Sequence, residues 1–175
     1  PLTAEFLKAY PTLMVDTRNF DGNFTARLLE AFGDLDEQTD GVLIHSENFQ
    51  ALNLMQARHR EQVKCIYIDP PYNTEADRTT GRFVYKDNYA HASWISLMES
   101  RILLARNLLF SSGSLFCSID ENESSVLDFL LKELFGVSNV LTPFKWKRNR
   151  KAAMLSSFIG TVIEFLFVAL KDKTC

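Results

Sequence analysis

The sequence predicts an α/β domain, and three observations carry that expectation. Short apolar runs rich in β-forming residues recur, at residues 65–68 and 115–119. Between and after them lie stretches with apolar residues at three- and four-residue spacings: Trp94, Met98, Ile102, Ala105 and Leu109, then Val126, Leu127, Leu130, Leu131 and Leu134. Strands that alternate with helices of this kind pack as a sheet with helices on its faces. The third observation is bulk. A chain of 175 residues that is 46% hydrophobic and holds 14 Phe can bury the core of one domain, and that composition excludes a disordered one.

Taken in order, residues 1–40 read as an N-terminal helical preamble and an acidic connector. Thr3 can cap a short helix carrying Phe6, Leu7 and Tyr10, which Pro11 ends. Phe24, Leu28 and Phe32 repeat every four residues, and Gly33 stops that second helix. Glu30, Asp34, Asp36, Glu37 and Asp40 cluster there as a solvated acidic stretch. Residues 42–45 read as a strand, and residues 47–58 as a helix with Phe49, Leu52 and Met55 on one side. Residues 65–68 read as a strand buried on both faces. Residues 75–93, polar with Phe83 and Tyr85 alternating, read as a loop or loose hairpin. The helix opening at Ser93 is stopped by Ser111, Ser112 and Gly113. The next strand is 115–119. Asp120 is expected to cap the following helix with Glu123 reaching back, and Gly136 to close it. Strand-like runs follow at residues 140–147 and 161–170.

Charge and cysteine usage narrow the function classes. The net charge is −3, so contact with nucleic acid would need a local basic patch. The run with that character is Lys145, Trp146, Lys147, Arg148, Arg150 and Lys151, five cations around one aromatic. Such runs are also often merely solvated. Cys65, Cys117 and Cys175 have no metal-like spacing, nor do His45, His59 and His91. Cys65 and Cys117 sit in apolar runs and are expected to be buried, reduced thiols, which suits the cytoplasm. Residues 159–170 are too few to span a bilayer and include Glu164, so no membrane partner is expected.

The chain is organised around residues 65–74, CIYIDPPYNT. Asp69 stands at the end of an apolar strand. Pro70 and Pro71 stop the ladder, since neither has an N–H and both fix φ near −65°. Tyr72 adds an aromatic ring. In open parallel sheets ligands bind at the carboxyl ends of strands, so a carboxylate, a stiff carbonyl and a ring stand where chemistry happens. On the residues alone a Pro-rich turn with Asp69 capping the loop is an equal reading.

DPPYNT after an apolar strand resembles the catalytic motif of S-adenosylmethionine-dependent amino-methyltransferases acting on DNA. With HSENFQAL before it and SWISLMESRILLARNLL and GSLFCSIDENE after it, the chain resembles the modification subunits of type III restriction–modification systems. That class is permuted, with the catalytic motif preceding the cofactor glycines. The resemblance covers about residues 41–172.

The resemblance implies a partial Rossmann-like methyltransferase sheet with helices on both faces, residues 41–175 forming the catalytic part. It implies transfer of a methyl group from S-adenosyl-L-methionine to the N6 amino group of a flipped-out adenine in double-stranded DNA. Asp69 and the Pro70 carbonyl, stiffened by Pro71, would hold the amino hydrogens, and Tyr72 would stack on the base. Glu47 and Asp69 would face the cofactor. Trp146, Lys147, Arg148 and Arg150 would meet DNA. A restriction subunit and a second modification subunit are the implied partners. Cytosine-N4 methylation uses the same geometry, and a non-catalytic structural or DNA-binding fragment is the rival from another class. The family's glycine-rich cofactor loop is absent from these residues. The chain is therefore expected to end before it, to lack the first sheet strands, and not to methylate DNA alone.

Overall fold

The computed structural model describes residues 3–14, 16–73, 91–147 and 163–174. It divides into two units, Pro1–Ile44 and His45–Cys175.

The first unit is built from locally capped helices. In α1 (Ala4–Ala9) the Thr3 hydroxyl accepts the Phe6 N–H at 3.2 Å, the cap expected from sequence. A 3-10 turn at Thr17–Asn19 is capped by Asp16, which also pairs with the Arg18 guanidinium at 2.8 Å. Helix α2 (Gly22–Ala31) is capped by Asp21 and stops before Gly33, whose φ of 64° is the left-handed conformation glycine adopts freely. The strand expected at 42–45 does not form. Val42 is 76% and Leu43 97% exposed, with no ladder on either side. An apolar run becomes a strand only by pairing, and nothing among the described residues pairs with it.

The second unit holds a four-stranded sheet in the order β1-β2-β4-β3. Its elements are α3 (Asn48–His59), β1 (Val63–Ile68), α4 (His91–Leu108), β2 (Leu109–Ile119), α5 (Ser124–Phe135), β3 (Phe144–Lys147) and β4 (Ile163–Leu170). Strands β1 and β2 are parallel, joined through α4, while β4 runs antiparallel to both β2 and β3. The α/β class expected from the sequence is the one observed. The core lies on one face, where Leu115, Cys117 and Ile119 of β2 and Phe167 and Ala169 of β4 meet Trp94, Met98, Ile102 and Ala105 of α4 and Leu127, Leu130, Leu131 and Phe135 of α5. Full burial of each large side chain there is worth about 1.5–3 kcal/mol, so the strands that carry the site are anchored in this core.

Several local expectations are corrected. Strand β1 is not buried on both faces: Ile66 and Ile68 face the core, whereas Cys65 and Tyr67 are exposed, because strand alternation turns them to the face opposite the core. Cys117 is the buried thiol, and burial pushes its pKa well up. Helix α4 does not run on to Ser111. Leu109 already pairs with Val63, and the next registered pair is Cys65 with Ser114, so the Ser-Ser-Gly stretch bulges out of β2 and does not end a helix. Gly113 fits there because a Cβ would lie 2.9 Å from both the Phe110 and the Val63 carbonyl oxygens. The Asp120–Glu123 capping box also fails to form. Asp120 accepts the Asn122 backbone N–H at 3.0 Å, and Glu123 caps nothing with its side chain. Strand β3 is shorter than the 140–147 run, Val140 keeping only an isolated bridge to Ala169. Most of the expected loop at 75–93 lies outside the described residues, as do Arg148, Arg150 and Lys151 of the basic run.

Candidate active site

The motif leaves β1 at Ile68 and is held from two sides. The buried indole of Trp94, at the start of α4, donates its N–H to the Pro71 carbonyl at 2.8 Å. Two residues on, Asn73 is buried with φ 59° and donates its side-chain amide to Glu123 Oε1 at 2.5 Å. Asn is one of the few residues that takes this left-handed conformation readily, and here it ends the Pro-rich turn. Glu123, fully buried, thus braces the motif from the entrance to α5.

Asp69 is exposed at the end of β1. Because Ile68 pairs with Cys117 in the parallel ladder, Asp69 lies beside Ser118. The Ser118 hydroxyl donates to Asp69 Oδ1 at 2.8 Å, and the Tyr67 hydroxyl donates to Ser118 Oγ at 3.1 Å. Tyr72 is half-buried and packed against the core, with Ser118 and Asp69 near its hydroxyl. Burial raises the Tyr72 phenol to about 12; the neighbouring Ser118 hydroxyl opposes that, and the charges of Asp69 and Glu164 add to it. Tyr72 is a neutral hydroxyl at neutral pH.

Beside the motif opens a cavity of about 660 Å³, within the usual size range of ligand sites. Its lining includes Asp69, Pro70 and Pro71 of the motif, the charged Glu47 and Arg101, and the apolar Leu52, Ile66 and Met98. Glu47 caps α3 by accepting the Gln50 N–H at 3.0 Å and pairs with Arg101 at 2.6 Å. Its carboxyl lies below the usual range, first through the Phe49 backbone N–H and, more weakly, through Gln50 and Arg101, with desolvation working the other way. Glu47 is thus a helix cap that also lines the cavity.

Trp146 and Lys147 lie on β3, away from this cluster in sequence. Trp146 is 68% exposed and pairs with Glu164, and strand alternation turns Lys147 to the opposite face. Through the registers of β4 and β2, Trp146 shares its face with Ser118 and Tyr67. Among the described residues no group of His, Cys, Asp and Glu could hold a metal ion, and no helix is long and apolar enough to cross a membrane.

Trp94, Ser118, Asn73 and Glu123 are site residues that sequence reasoning did not assign. Trp94 carried a signal, since a buried Trp needs an acceptor for its N–H, but its acceptor is 23 residues away. Ser118 is a polar residue inside an apolar strand, and only the register with β1 gives it a partner.

A family model described as DNA methylase matches residues 63–175. The chain is 29% identical over 163 residues to the StyLTI Mod subunit, a type III restriction–modification enzyme of Salmonella typhimurium, covering 77% of this chain and 24% of that one. It is 30% identical over 158 residues to the EcoP15I Mod subunit of Escherichia coli, covering 75% and 24%. The chain thus spans about a quarter of the length of these relatives. In fold it is similar to a candidate DNA modification methylase of Thermus thermophilus, solved with S-adenosyl-L-methionine, at a TM-score of 0.50 and 16% identity over 70% of this chain and 53% of that one.

Proposed function

We propose, on the premise that this chain belongs to the DNA methylase family, that it carries the catalytic motif of a DNA adenine-N6 methyltransferase of the type III modification kind. The observation that carries this reading is Asp69, held at a strand end beside a stiff Pro-Pro turn and lining a cavity.

The N6 amino group of adenine is a poor nucleophile, its lone pair being delocalised into the ring. In the proposed reaction the Asp69 carboxylate accepts one amino hydrogen and the Pro70 carbonyl the other, which localises the lone pair as positive charge develops. Asp69 then takes the proton, which is acidic once nitrogen carries the methyl group. Tyr72 offers its ring to the base. A base inside a duplex is out of reach, so the adenine is flipped out at a cost of a few kcal/mol, part of which stacking at about 1–3 kcal/mol per base offsets.

The cavity suits S-adenosyl-L-methionine in volume; the Glu47 carboxylate would take that molecule's polar groups, and Asp69 would face the bound cofactor from the motif while its carboxylate serves the amino group. When bound, its sulfonium supplies an electrophilic methyl group. Lys147, with Arg148 and Arg150, would neutralise phosphates, and the exposed Trp146 would stack on an unpaired base. Double-stranded DNA is the proposed substrate. A restriction subunit and a second modification subunit are the proposed partners, by analogy with relatives that are themselves named subunits. The same geometry would serve the N4 amino group of cytosine; Asp as the first residue of the motif favours adenine.

The test is Asp69→Ala in the full-length protein, read by labelled-methyl transfer to DNA and by calorimetry with S-adenosyl-L-methionine. Transfer should vanish with cofactor binding largely intact. Near-normal turnover would sink the mechanism.

A further inference from the structure

We propose that Ser118 is a positioning residue for methyl transfer: its hydroxyl orients the Asp69 carboxylate, and the Tyr67 hydroxyl directs that of Ser118. The inference rests on the function proposed above.

The direction of the chain follows from donor counting. An ionised carboxylate only accepts, so in the 2.8 Å contact Ser118 must be the donor. Serine has a single hydroxyl proton. Once that proton is committed to Asp69, the 3.1 Å contact between Tyr67 and Ser118 leaves the tyrosine as donor. The order is therefore Tyr67 to Ser118 to Asp69, with no freedom to reverse while Asp69 is charged.

Geometry gives this order its use. Asp69 is exposed, follows the last residue of β1 and is restrained by the side-chain hydrogen bond from Ser118. A carboxylate is planar, and rotation about its terminal bond meets only a broad two-fold barrier. A bond from Ser118 to Oδ1 selects one orientation and directs Oδ2 elsewhere. Ser118 can do this because it is register-locked: Ile68 pairs with Cys117, and Ser118 pairs with Leu166 on its other side. The hydroxyl is therefore carried by the sheet, while the group it orients sits on the turn. Misplacing a reacting group by about 1 Å can cost on the order of a hundredfold in rate, so an aimed carboxylate has a measurable consequence.

The experiment uses the full-length protein and four variants: Ser118→Ala, Ser118→Thr, Tyr67→Phe and Asp69→Ala. Each is assayed for steady-state methyl transfer to DNA, for S-adenosyl-L-methionine affinity by calorimetry, and for thermal midpoint. Ser118→Ala should lower kcat by about 10- to 100-fold with KM for DNA and cofactor affinity within about twofold. Ser118→Thr keeps the hydroxyl and should restore kcat to within about threefold of the parent. Tyr67→Phe should lower kcat by about three- to fivefold without moving the midpoint, since that ring is 63% exposed. A kcat within twofold of the parent in Ser118→Ala overturns the proposal, and so does a Thr variant as slow as the Ala variant, which would make packing the cause. Should Ser118→Ala fail to fold, an unchanged kcat in Tyr67→Phe, or a slow but folded Thr variant, overturns it equally. Full activity in Asp69→Ala would instead remove the function proposed above, whereas an inactive Asp69→Ala beside a fully active Ser118→Ala removes this inference alone.

Discussion

The indole N–H of Trp94 donates to the carbonyl of Pro71 at 2.8 Å, tying the first turn of α4 to the middle of the catalytic motif. Neither proline has an N–H, so this stretch cannot be held by a ladder. A buried side-chain donor replaces the missing backbone bond, and by fixing the Pro71 peptide it limits how far the neighbouring Pro70 carbonyl can turn.

Trp94→Phe should therefore damage stability and activity together. The ring volume is largely kept, but a carbonyl loses its buried partner, at a cost of about 1–3 kcal/mol. Urea denaturation should show that loss, and methyl transfer by the full-length variant at a temperature where it stays folded should fall by about tenfold. An unchanged midpoint with unchanged turnover would show that the prolines hold the turn unaided.

Gly113→Ala should be destabilising for a different reason. The new methyl group would sit 2.9 Å from two backbone oxygens, those of Phe110 and Val63, and neither is the far end of a flexible side chain. Overpacking of this kind costs about 1–3 kcal/mol. The shift should appear in the denaturation midpoint, and a neutral result would mean that the bulge in β2 can relax outward.

Glu47 predicts a pH dependence. Its folded carboxyl lies below the ordinary value of 4.5, through the Phe49 backbone bond first, so the folded state binds its proton less readily than the unfolded chain does. The corresponding stability is present above about pH 4.5 and is lost as the pH falls through the lower folded value. Replacing Glu47 by Gln removes that contribution. The gap in thermal midpoint between parent and Glu47→Gln should be widest near neutral pH and narrow below pH 4.5. A gap independent of pH would mean that the carboxylate acts by shape and not by charge.

Much of the second unit was legible because its helices are strongly periodic. The spacing from Trp94 to Ala105 marks a stripe that is in fact buried, and Leu127 with Leu130 and Leu131 does the same for α5. What could not be read depended on partners distant in sequence. Ser-Ser-Gly at 111–113 carries turn chemistry, yet Val63 captures Leu109 into the sheet before that chemistry can act. Glu123 has the spacing of a capping box, yet Asn73, 50 residues away, engages it. The candidate site divides in the same way. Asp69 and its prolines could be found from local sequence alone, whereas Ser118 becomes a site residue only through the register of β1 on β2.

The outermost position of β1 has a consequence for handling the protein. Six residues of strand present about 20 Å of backbone whose outward N–H and C=O groups no strand among the described residues pairs with. Such a border is a template for foreign strands, and the exposed Cys65 and Tyr67 beside it would favour sticking over solubility. Lys64, exposed within β1, opposes this, since a second copy docking there would bring its own lysine and a cost in repulsion. The strand that presents this border is also the one that delivers Asp69 to the site, so a substitution made in it to curb association bears on the placement of that carboxylate as well.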